Sequence, residues 1–119
     1  MALLKVGVFG TSRKINERRV PIHPDHLDWI EESLRPRLIF EKGYGERFGV
    51  SDEAIAQKTG GVASREELFA NCDLYLLPKP VQADFEAMRE NSILWGWPHC
   101  VQQPSYTQTA IDRRLTLIA

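Results

Sequence analysis

Five short apolar runs recur along the chain, at residues 4–9, 38–40, 74–77, 93–97 and 115–119. Each run is continuous rather than alternating, which is typical of β-strands covered on both faces. We therefore predict five strands and expect the last of them to be buried. Because a buried final strand leaves no polar tail to cover the sheet, we also expect the natural polypeptide to continue beyond Ala119.

Helix-sized segments separate these runs. Within residues 24–34, Leu27, Ile30 and Leu34 share one helix face, and acidic residues occupy the rest of the cylinder. This spacing predicts a helix over residues 24–34 that Pro36 ends. Further helices are predicted at residues 52–58, after the capping-box pair Ser64 and Glu67, at residues 82–90 with Phe85 and Met88 facing inward, and after Pro104.

The alternation of strands and helices predicts the fold class. It favours an α/β domain with an open, mainly parallel, Rossmann-like or flavodoxin-like sheet, in which helices on both faces give three α/β/α layers. The length of 119 residues is enough for one domain with its own core, and no repeat or linker marks a second.

Composition excludes several classes of partner. Lys and Arg number 15 against 16 Asp and Glu, so no overall field favours nucleic acid or an anionic membrane. No apolar run approaches the roughly 20 residues of a membrane helix. Cys72 and Cys100 lack a C-x-x-C spacing, and no signal peptide precedes the first strand, so we expect free thiols and a cytoplasmic location.

Candidate chemistry is found after three of the predicted strands. Arg19, Lys79 and His99 each lie a few residues past the carboxyl end of a strand, where the loops of an open α/β sheet form the ligand crevice. Three basic groups that meet there would bind an anionic substrate. Substrate binding is assigned to Arg19 and Lys79, and catalysis to Lys79 and His99.

Each of these residues also has an ordinary structural interpretation. Arg18 and Arg19 together are compatible with a solvated loop, although a guanidinium suits a carboxylate because its planar donors engage both oxygens. Lys79 lies between two prolines, which stiffen its loop and favour a function over a surface role. His99 is either a hydrogen-bonded structural residue or a general acid/base, since imidazole titrates near neutral pH.

Three neighbouring features are given structural roles. Cys100 is not interpreted as a nucleophile, because side chains of adjacent residues point to opposite faces. Trp95 and Trp97 share a face, and packing against a helix is the favoured role. The loop with Gly43, Gly45 and Gly49 does not have the spacing of a dinucleotide-binding turn, so we expect no nucleotide cofactor on this chain. We also expect no metal.

Ordered motifs give the chain a family resemblance. Residues 5–8, 17–21, 41–45, 73–80 and 94–99 together resemble the amino-terminal domain of the alanine dehydrogenase and pyridine nucleotide transhydrogenase family. The resemblance spans essentially the whole chain. Its most specific part is the ordered set of Arg19, Lys79 and His99.

The resemblance implies that the substrate and the nucleotide bind to two different domains. This chain, residues 1–119, would be the substrate-side domain of a longer enzyme, and a separate Rossmann domain would bind NAD or NADP. Arg19 and Lys79 would hold the carboxylate and carbonyl of a 2-oxo acid such as pyruvate, and His99 would be the acid/base. The isolated chain would then be inactive, and homo-oligomerisation of the enzyme is left open.

Departures from the family pattern leave the substrate open. Dehydrogenases of the family usually read Lys-x-Lys-Glu-Pro where this chain has Leu-Pro-Lys79-Pro, and residues 100–103 are closer to saccharopine dehydrogenases. The presence of His99 argues against the transhydrogenase branch. Three hypotheses follow: an alanine dehydrogenase-like enzyme, a saccharopine- or opine-type enzyme that joins an amino acid to a 2-oxo acid, and a non-catalytic module that binds small carboxylates.

Overall fold

The computed structural model describes residues 4–119 as a six-stranded sheet in which every pairing is parallel. The strand order is β3-β2-β1-β4-β5-β6. The strands are β1 Val6–Val8, β2 Leu38–Glu41, β3 Val62–Ala63, β4 Leu74–Leu76, β5 Ile93–Trp95 and β6 Thr116–Ile118. The predicted open, parallel α/β sheet is therefore confirmed.

Helices connect the strands and cover both faces of the sheet. The α-helices are α1 Asp52–Lys58, α2 Arg65–Asn71, α3 Gln82–Ala87 and α4 Pro104–Asp112, and a 3₁₀-helix spans Pro24–Trp29. One core lies beneath α2, α3 and α4 and includes Leu68, Phe85 and Ala110. The other lies beneath the 3₁₀-helix and α1 and includes Leu27 and Ile55.

Two local predictions on this scaffold are confirmed. Ser64 caps α2 by accepting from the Glu67 amide, and the Glu67 carboxylate accepts from the Ser64 amide in return. Phe85 on α3 and Met88 directly after it are both buried as predicted, although the helix ends at Ala87 instead of continuing to residue 90.

The prediction of one continuous helix over residues 24–34 is wrong. After the 3₁₀-helix Pro24–Trp29, Ile30 takes an extended conformation, and a second 3₁₀-turn, Arg35–Arg37, contains Pro36. The Arg35 side chain donates to the carbonyl oxygens of Asp28 and Ile30, which satisfies groups that a continuing helix would have paired. Leu34 is consequently exposed.

The strand predictions need two corrections. β3 was missed, because two residues that are only partly buried give no apolar run. The final strand, β6, is present but is not buried as expected: it forms an edge of the sheet, and Thr116 and Ile118 are exposed. An edge strand has only one neighbour to cover it, whatever its composition.

Trp95 and Trp97 do not pack beneath a helix as predicted. They are 49% and 46% exposed and line an apolar groove of about 680 Å³ that also contains Leu76 and Ile30. The groove exists because the 3₁₀-helix and α1 pack over β1, β2 and β3, which leaves the same face of β4 and β5 open.

The two thiols differ in burial, and this difference gives a test of the packing. Cys72 is fully buried against Gly7, and burial raises the pKa of its thiol to about 11, whereas Cys100 is partly exposed. Because the thiolate is the reactive form, Cys100 should react rapidly with a disulfide reagent and Cys72 only on unfolding. Absorbance in a thiol titration should show one fast group, which Cys100→Ser removes and Cys72→Ser leaves. Two fast groups in the native wild-type protein would contradict this packing.

Candidate functional site

Lys79 and His99 are in direct contact. The Lys79 Nζ lies 2.7 Å from the His99 Nε2. The two residues follow β4 and β5, which are neighbouring parallel strands with Leu76 beside Trp95, so their loops leave the same edge of the sheet side by side. An ammonium can only donate, so in this pair the imidazole Nε2 accepts.

The strand ends that carry this pair remain in contact beyond the sheet. The Trp97 amide donates to the Pro78 carbonyl oxygen at 2.8 Å, and Pro78 and Pro80 are buried on either side of Lys79. A Cβ at Gly96 would overlap the Leu77 carbonyl oxygen, so only glycine allows this approach. The backbone that presents Lys79 and His99 is therefore closely constrained.

His99 has a left-handed backbone conformation. Its φ of 51° lies in the left-handed region, where a non-glycine residue costs about 1–3 kcal/mol. The turn is held by the Gln102 amide, which donates to the His99 carbonyl oxygen at 3.0 Å. Asn16, Asn91 and Arg114 also have positive φ, so the conformation sets the direction of this loop and does not by itself mark a chemical role.

A pocket of about 350 Å³ opens over the contacting pair. Lys79 and His99 line it together with Lys14 from the loop after β1 and with Trp97 and Tyr106. No aspartate or glutamate contributes to this wall. A cavity with two ammonium groups and an imidazole at its surface suits a small anion.

Arg19 lies next to this pocket but is not among the residues that line it. Its Nε and Nη2 donate to the two carboxylate oxygens of Glu17 at 2.8 and 2.9 Å, and its guanidinium lies 5.0 Å from the centre of the Trp97 ring. Arg19 lines the apolar groove, and Trp97 is shared by the groove and the pocket. The structure thus brings Lys79 and His99 together and places Arg19 in the adjoining groove, against the Trp97 ring.

The Glu17 carboxylate is held in its charged form. Its hydrogen bond with Arg19 is the main cause that lowers the pKa of Glu17 to about 2, and the Lys79 ammonium contributes to the same shift. Arg19 thus binds this carboxylate directly, and Lys79 acts on it only through its charge. That carboxylate marks a position where negative charge is stabilised.

A network of buried charged groups supports the same edge of the sheet, and sequence reasoning missed it. Glu41, at the end of β2, accepts from the amides of Gly10 and Thr11. Arg65, at the start of α2, donates to the Thr11 carbonyl oxygen and to Asp84, which is fully buried. These bonds tie the loop after β1 to the start of α3.

The network reaches Lys79 from both sides. The Asp84 carboxylate accepts from the Val81 amide, two residues after Lys79, and the Ser12 hydroxyl donates to the Lys79 carbonyl oxygen at 2.8 Å. No sequence motif connects these residues, which are distant along the chain. Burial of a charged residue at an α-helix start, as in Asp84, is a property that only packing reveals.

The glycine-rich loop is folded as a turn and is not a phosphate cradle. Tyr44 is buried, and its hydroxyl bonds both the amide and the carbonyl of Ile22. A Cβ at Gly45 would overlap the Val50 carbonyl oxygen, so the protein itself fills the space that a phosphate would need. This loop does not fit a dinucleotide.

Two other classes of site are absent from residues 4–119. No three or more histidine, cysteine, aspartate or glutamate residues cluster there as metal ligands would. Within the same part of the chain, no helix has the length and apolarity needed to cross a bilayer.

Comparison with known proteins identifies the family. Residues 11–119 match the family model described as "Alanine dehydrogenase/PNT, N-terminal domain". The chain belongs to this family. The family resemblance inferred from the ordered arginine, lysine and histidine motifs is confirmed.

Curated relatives of this domain include two kinds of enzyme. An N(5)-(carboxyethyl)ornithine synthase of Clostridium botulinum strain Hall is 34% identical over 85 residues, which cover 71% of this chain and 26% of the relative. An alanine dehydrogenase of Methanococcus maripaludis strain S2 is 29% identical over 108 residues, covering 89% of this chain and 29% of the relative.

Solved structures show the same fold. An L-alanine dehydrogenase matches 98% of this chain and 32% of its own with a TM-score of 0.81 at 22% identity. A transhydrogenase from Sinorhizobium meliloti matches 97% of this chain and 34% of its own with a TM-score of 0.74 at 15% identity. The chain thus spans about a quarter to a third of the length of these relatives.

Removal of Arg65 from the buried network should cost much more stability than removal of an exposed ion-pair partner. Arg65 and Asp84 are 2.8 Å apart with side chains 10% and 0% exposed, so Arg65→Met should lower the free energy of unfolding by about 3–5 kcal/mol. Lys58→Met, which breaks an exposed pair with Asp28, is the control and should cost less than about 1 kcal/mol. Urea unfolding followed by circular dichroism measures both. Similar losses for the two variants would show that the network does not stabilise this edge.

The Glu17–Arg19 pair predicts an unusual titration. Nuclear magnetic resonance of the Glu17 carboxyl carbon should give a midpoint of about 2. Because the folded-state pKa is lowered, the stabilisation from this pair is present above the ordinary glutamate pKa of about 4.3 and is lost as the pH falls towards 2. Arg19→Leu should return the midpoint towards the ordinary value, and the adjacent Arg18→Leu should leave it low. An unchanged midpoint in Arg19→Leu would assign the shift to another cause.

Proposed function

We propose that this chain is the substrate-binding, N-terminal domain of a cytoplasmic, NAD(P)-dependent dehydrogenase that acts on the C–N bond of an amino acid, as alanine dehydrogenase does. The observation that carries the proposal is the 2.7 Å contact of Lys79 with His99 at the wall of a cationic pocket. Membership of the alanine dehydrogenase/PNT family supports the reaction class.

The proposed reaction balances as follows. In the reductive direction a 2-oxo acid, ammonia, a reduced nicotinamide nucleotide and a proton give an amino acid, the oxidised nucleotide and water. The nucleotide supplies the hydride and is held by a domain outside these 119 residues, because the glycine-rich loop of this chain does not fit it. What this chain contributes is substrate binding, orientation and proton transfer.

Lys79 is proposed to bind and polarise the substrate. Its ammonium faces the pocket on a loop stiffened by Pro78 and Pro80, so it is held in place before substrate arrives. An ammonium near the carbonyl oxygen stabilises the negative charge that develops there as the carbonyl is attacked. Because the donor is already oriented, little reorganisation is needed during the reaction.

His99 is proposed as the general acid/base. Its Nε2 lies 2.7 Å from the Lys79 Nζ, so a substrate oxygen that takes over the Lys79 ammonium would also lie beside the imidazole, which is then free to exchange a proton with it. In the reductive direction the imidazole would protonate the departing oxygen so that it leaves as water. In the oxidative direction it would take a proton from the attacking water.

Arg19 is proposed as the second group that binds the substrate carboxylate. Its donors now engage Glu17, so a substrate carboxylate would take over the position of that carboxylate beside Arg19 and Lys79. The guanidinium would be paired with one carboxylate before and after the exchange, and the Glu17 carboxylate would have to move away from it.

A second candidate function is supported by the relatives. One relative, 34% identical, is an N(5)-(carboxyethyl)ornithine synthase, whose name describes ornithine with a three-carbon acid on its side-chain amine. Formation of such a bond from a 2-oxo acid uses the same carbonyl chemistry, with an amino acid in place of ammonia. The same Lys79 and His99 would serve this opine-type reaction.

The test uses the protein in which this domain is joined to its nucleotide-binding domain. Absorbance of NADH or NADPH should fall when pyruvate is supplied with ammonia for the first function, or with ornithine for the second. His99→Asn should reduce kcat by about two to four orders of magnitude, because general acid/base catalysis contributes that much. His26→Asn, at an exposed histidine stacked on Trp29, is the matched control and should retain wild-type kcat.

Two results would contradict the proposal. No oxidation of either nucleotide with any amine would remove the dehydrogenase function. Near-normal kcat in His99→Asn would remove the acid/base role while leaving the binding role of the pocket.

A further inference from the structure

We propose that Lys14 forms a second carboxylate site in the pocket and binds the carboxylate of an amino acid whose amine joins the 2-oxo acid held at Lys79 and His99. The chemistry of this inference rests on the proposed function and names its second substrate. It is carried by three observations on the pocket: its charge, its construction and its size.

The pocket has one more ammonium group than a single substrate carbonyl or carboxylate at Lys79 would engage. Lys14 and Lys79 both line it, and no carboxylate does. Among residues 4–119 neither ammonium forms a salt bridge, whereas the exposed Lys58 does so with Asp28. Glu17 lies close enough for Lys79 to lower its pKa, but both of its oxygens already accept from Arg19. The Lys14 ammonium is therefore available for an anion from outside the protein.

The Ser12 hydroxyl links the backbone of Lys14 to the backbone of Lys79. The Ser12 Oγ donates to the Lys79 carbonyl oxygen at 2.8 Å and accepts from the Lys14 amide at 3.1 Å. The loop that carries Ser12 is anchored in turn by Thr11, which Glu41 and Arg65 hold on either side. Lys14 thus belongs to the same supported structure as Lys79, although the two residues are distant in sequence.

The pocket has room for a second substrate. Its volume of about 350 Å³ equals roughly a dozen water molecules at about 30 Å³ each, well beyond a three-carbon oxo acid. It also lies in the size range of sites that enclose larger organic ligands. An amino acid with a free amine on its side chain would extend from the reacting carbonyl towards Lys14.

The reaction then joins two acids. The side-chain amine attacks the carbonyl carbon, a C=N bond forms and the carbonyl oxygen leaves as water. A hydride from a reduced nicotinamide nucleotide, together with a proton, saturates the C=N bond. Lys14 takes no part in these bonds; it holds the far carboxylate and so selects an amino acid over a simple amine.

Turnover tests this selection with a pair of matched amines. In the protein that carries both domains, the KM for ornithine is compared with that for butane-1,4-diamine, which lacks the carboxylate, at saturating pyruvate. Lys14→Met should raise the KM for ornithine about 10- to 100-fold, as expected for loss of a charged hydrogen bond, and leave the KM for the diamine nearly unchanged. Lys14→Arg should retain most of the preference for ornithine over the diamine, and Lys58→Met should retain all of it.

Binding to the 119-residue chain gives a readout that needs no turnover. Glutarate, with two carboxylates, and butyrate, with one, serve as probes in calorimetric titrations. The wild-type chain should bind glutarate several-fold more tightly than butyrate, and Lys14→Met should abolish the difference. Lys58→Met should leave it intact.

The outcomes separate the inference from the proposed function. Turnover with ammonia, combined with equal binding of the two probes and no effect of Lys14→Met, overturns the second carboxylate site and leaves the dehydrogenase. A preference for glutarate that depends on Lys14, combined with no turnover for any amine, supports the site and overturns the dehydrogenase. Equal effects of Lys14→Met on ornithine and the diamine also overturn the inference.

Discussion

The close approach of two neighbouring strand ends is the constraint on which the candidate site depends. β4 and β5 lie side by side in the sheet, and beyond them the backbone at Gly96 packs directly against the carbonyl oxygen of Leu77. A side chain at position 96 would force the two segments apart. Because the segments stay together, the loops that follow are in register and their functional groups, Lys79 and His99, meet at 2.7 Å.

The cationic character of the pocket has a structural consequence of its own. Two ammonium groups in one cavity repel each other, and an anion between them would reduce this repulsion. The protein balances the surrounding charge outside the pocket, with Glu17 beside Arg19 and with Asp84 and Glu41 around Arg65. The acidic groups thus support the loops while contributing no carboxylate to the pocket wall.

Hydrophobic patterning predicted much of the fold, and the errors have identifiable causes. Buried strands such as β2 and β4 are continuous apolar runs, so their positions could be found directly. β3 has only two partly buried residues, and pairing with β2 rather than composition makes it a strand. Residues 24–34 have helical spacing, but side-chain bonds from Arg35 to the Asp28 and Ile30 carbonyl oxygens replace the continuing helix. Local propensity was overridden in these places by interactions that patterning does not include.

By itself, the sequence determined the class of fold, the loops that carry basic residues and the misfit of the glycine spacing to a dinucleotide. These are properties of composition and short-range order. Only the tertiary structure decided that Lys79 touches His99, that Glu17 engages Arg19 and that Lys14 joins the pocket through Ser12. The reason is physical: a distance between residues far apart in the chain depends on strand order and register. Those are set by the packing of both sheet faces together, which no single segment specifies.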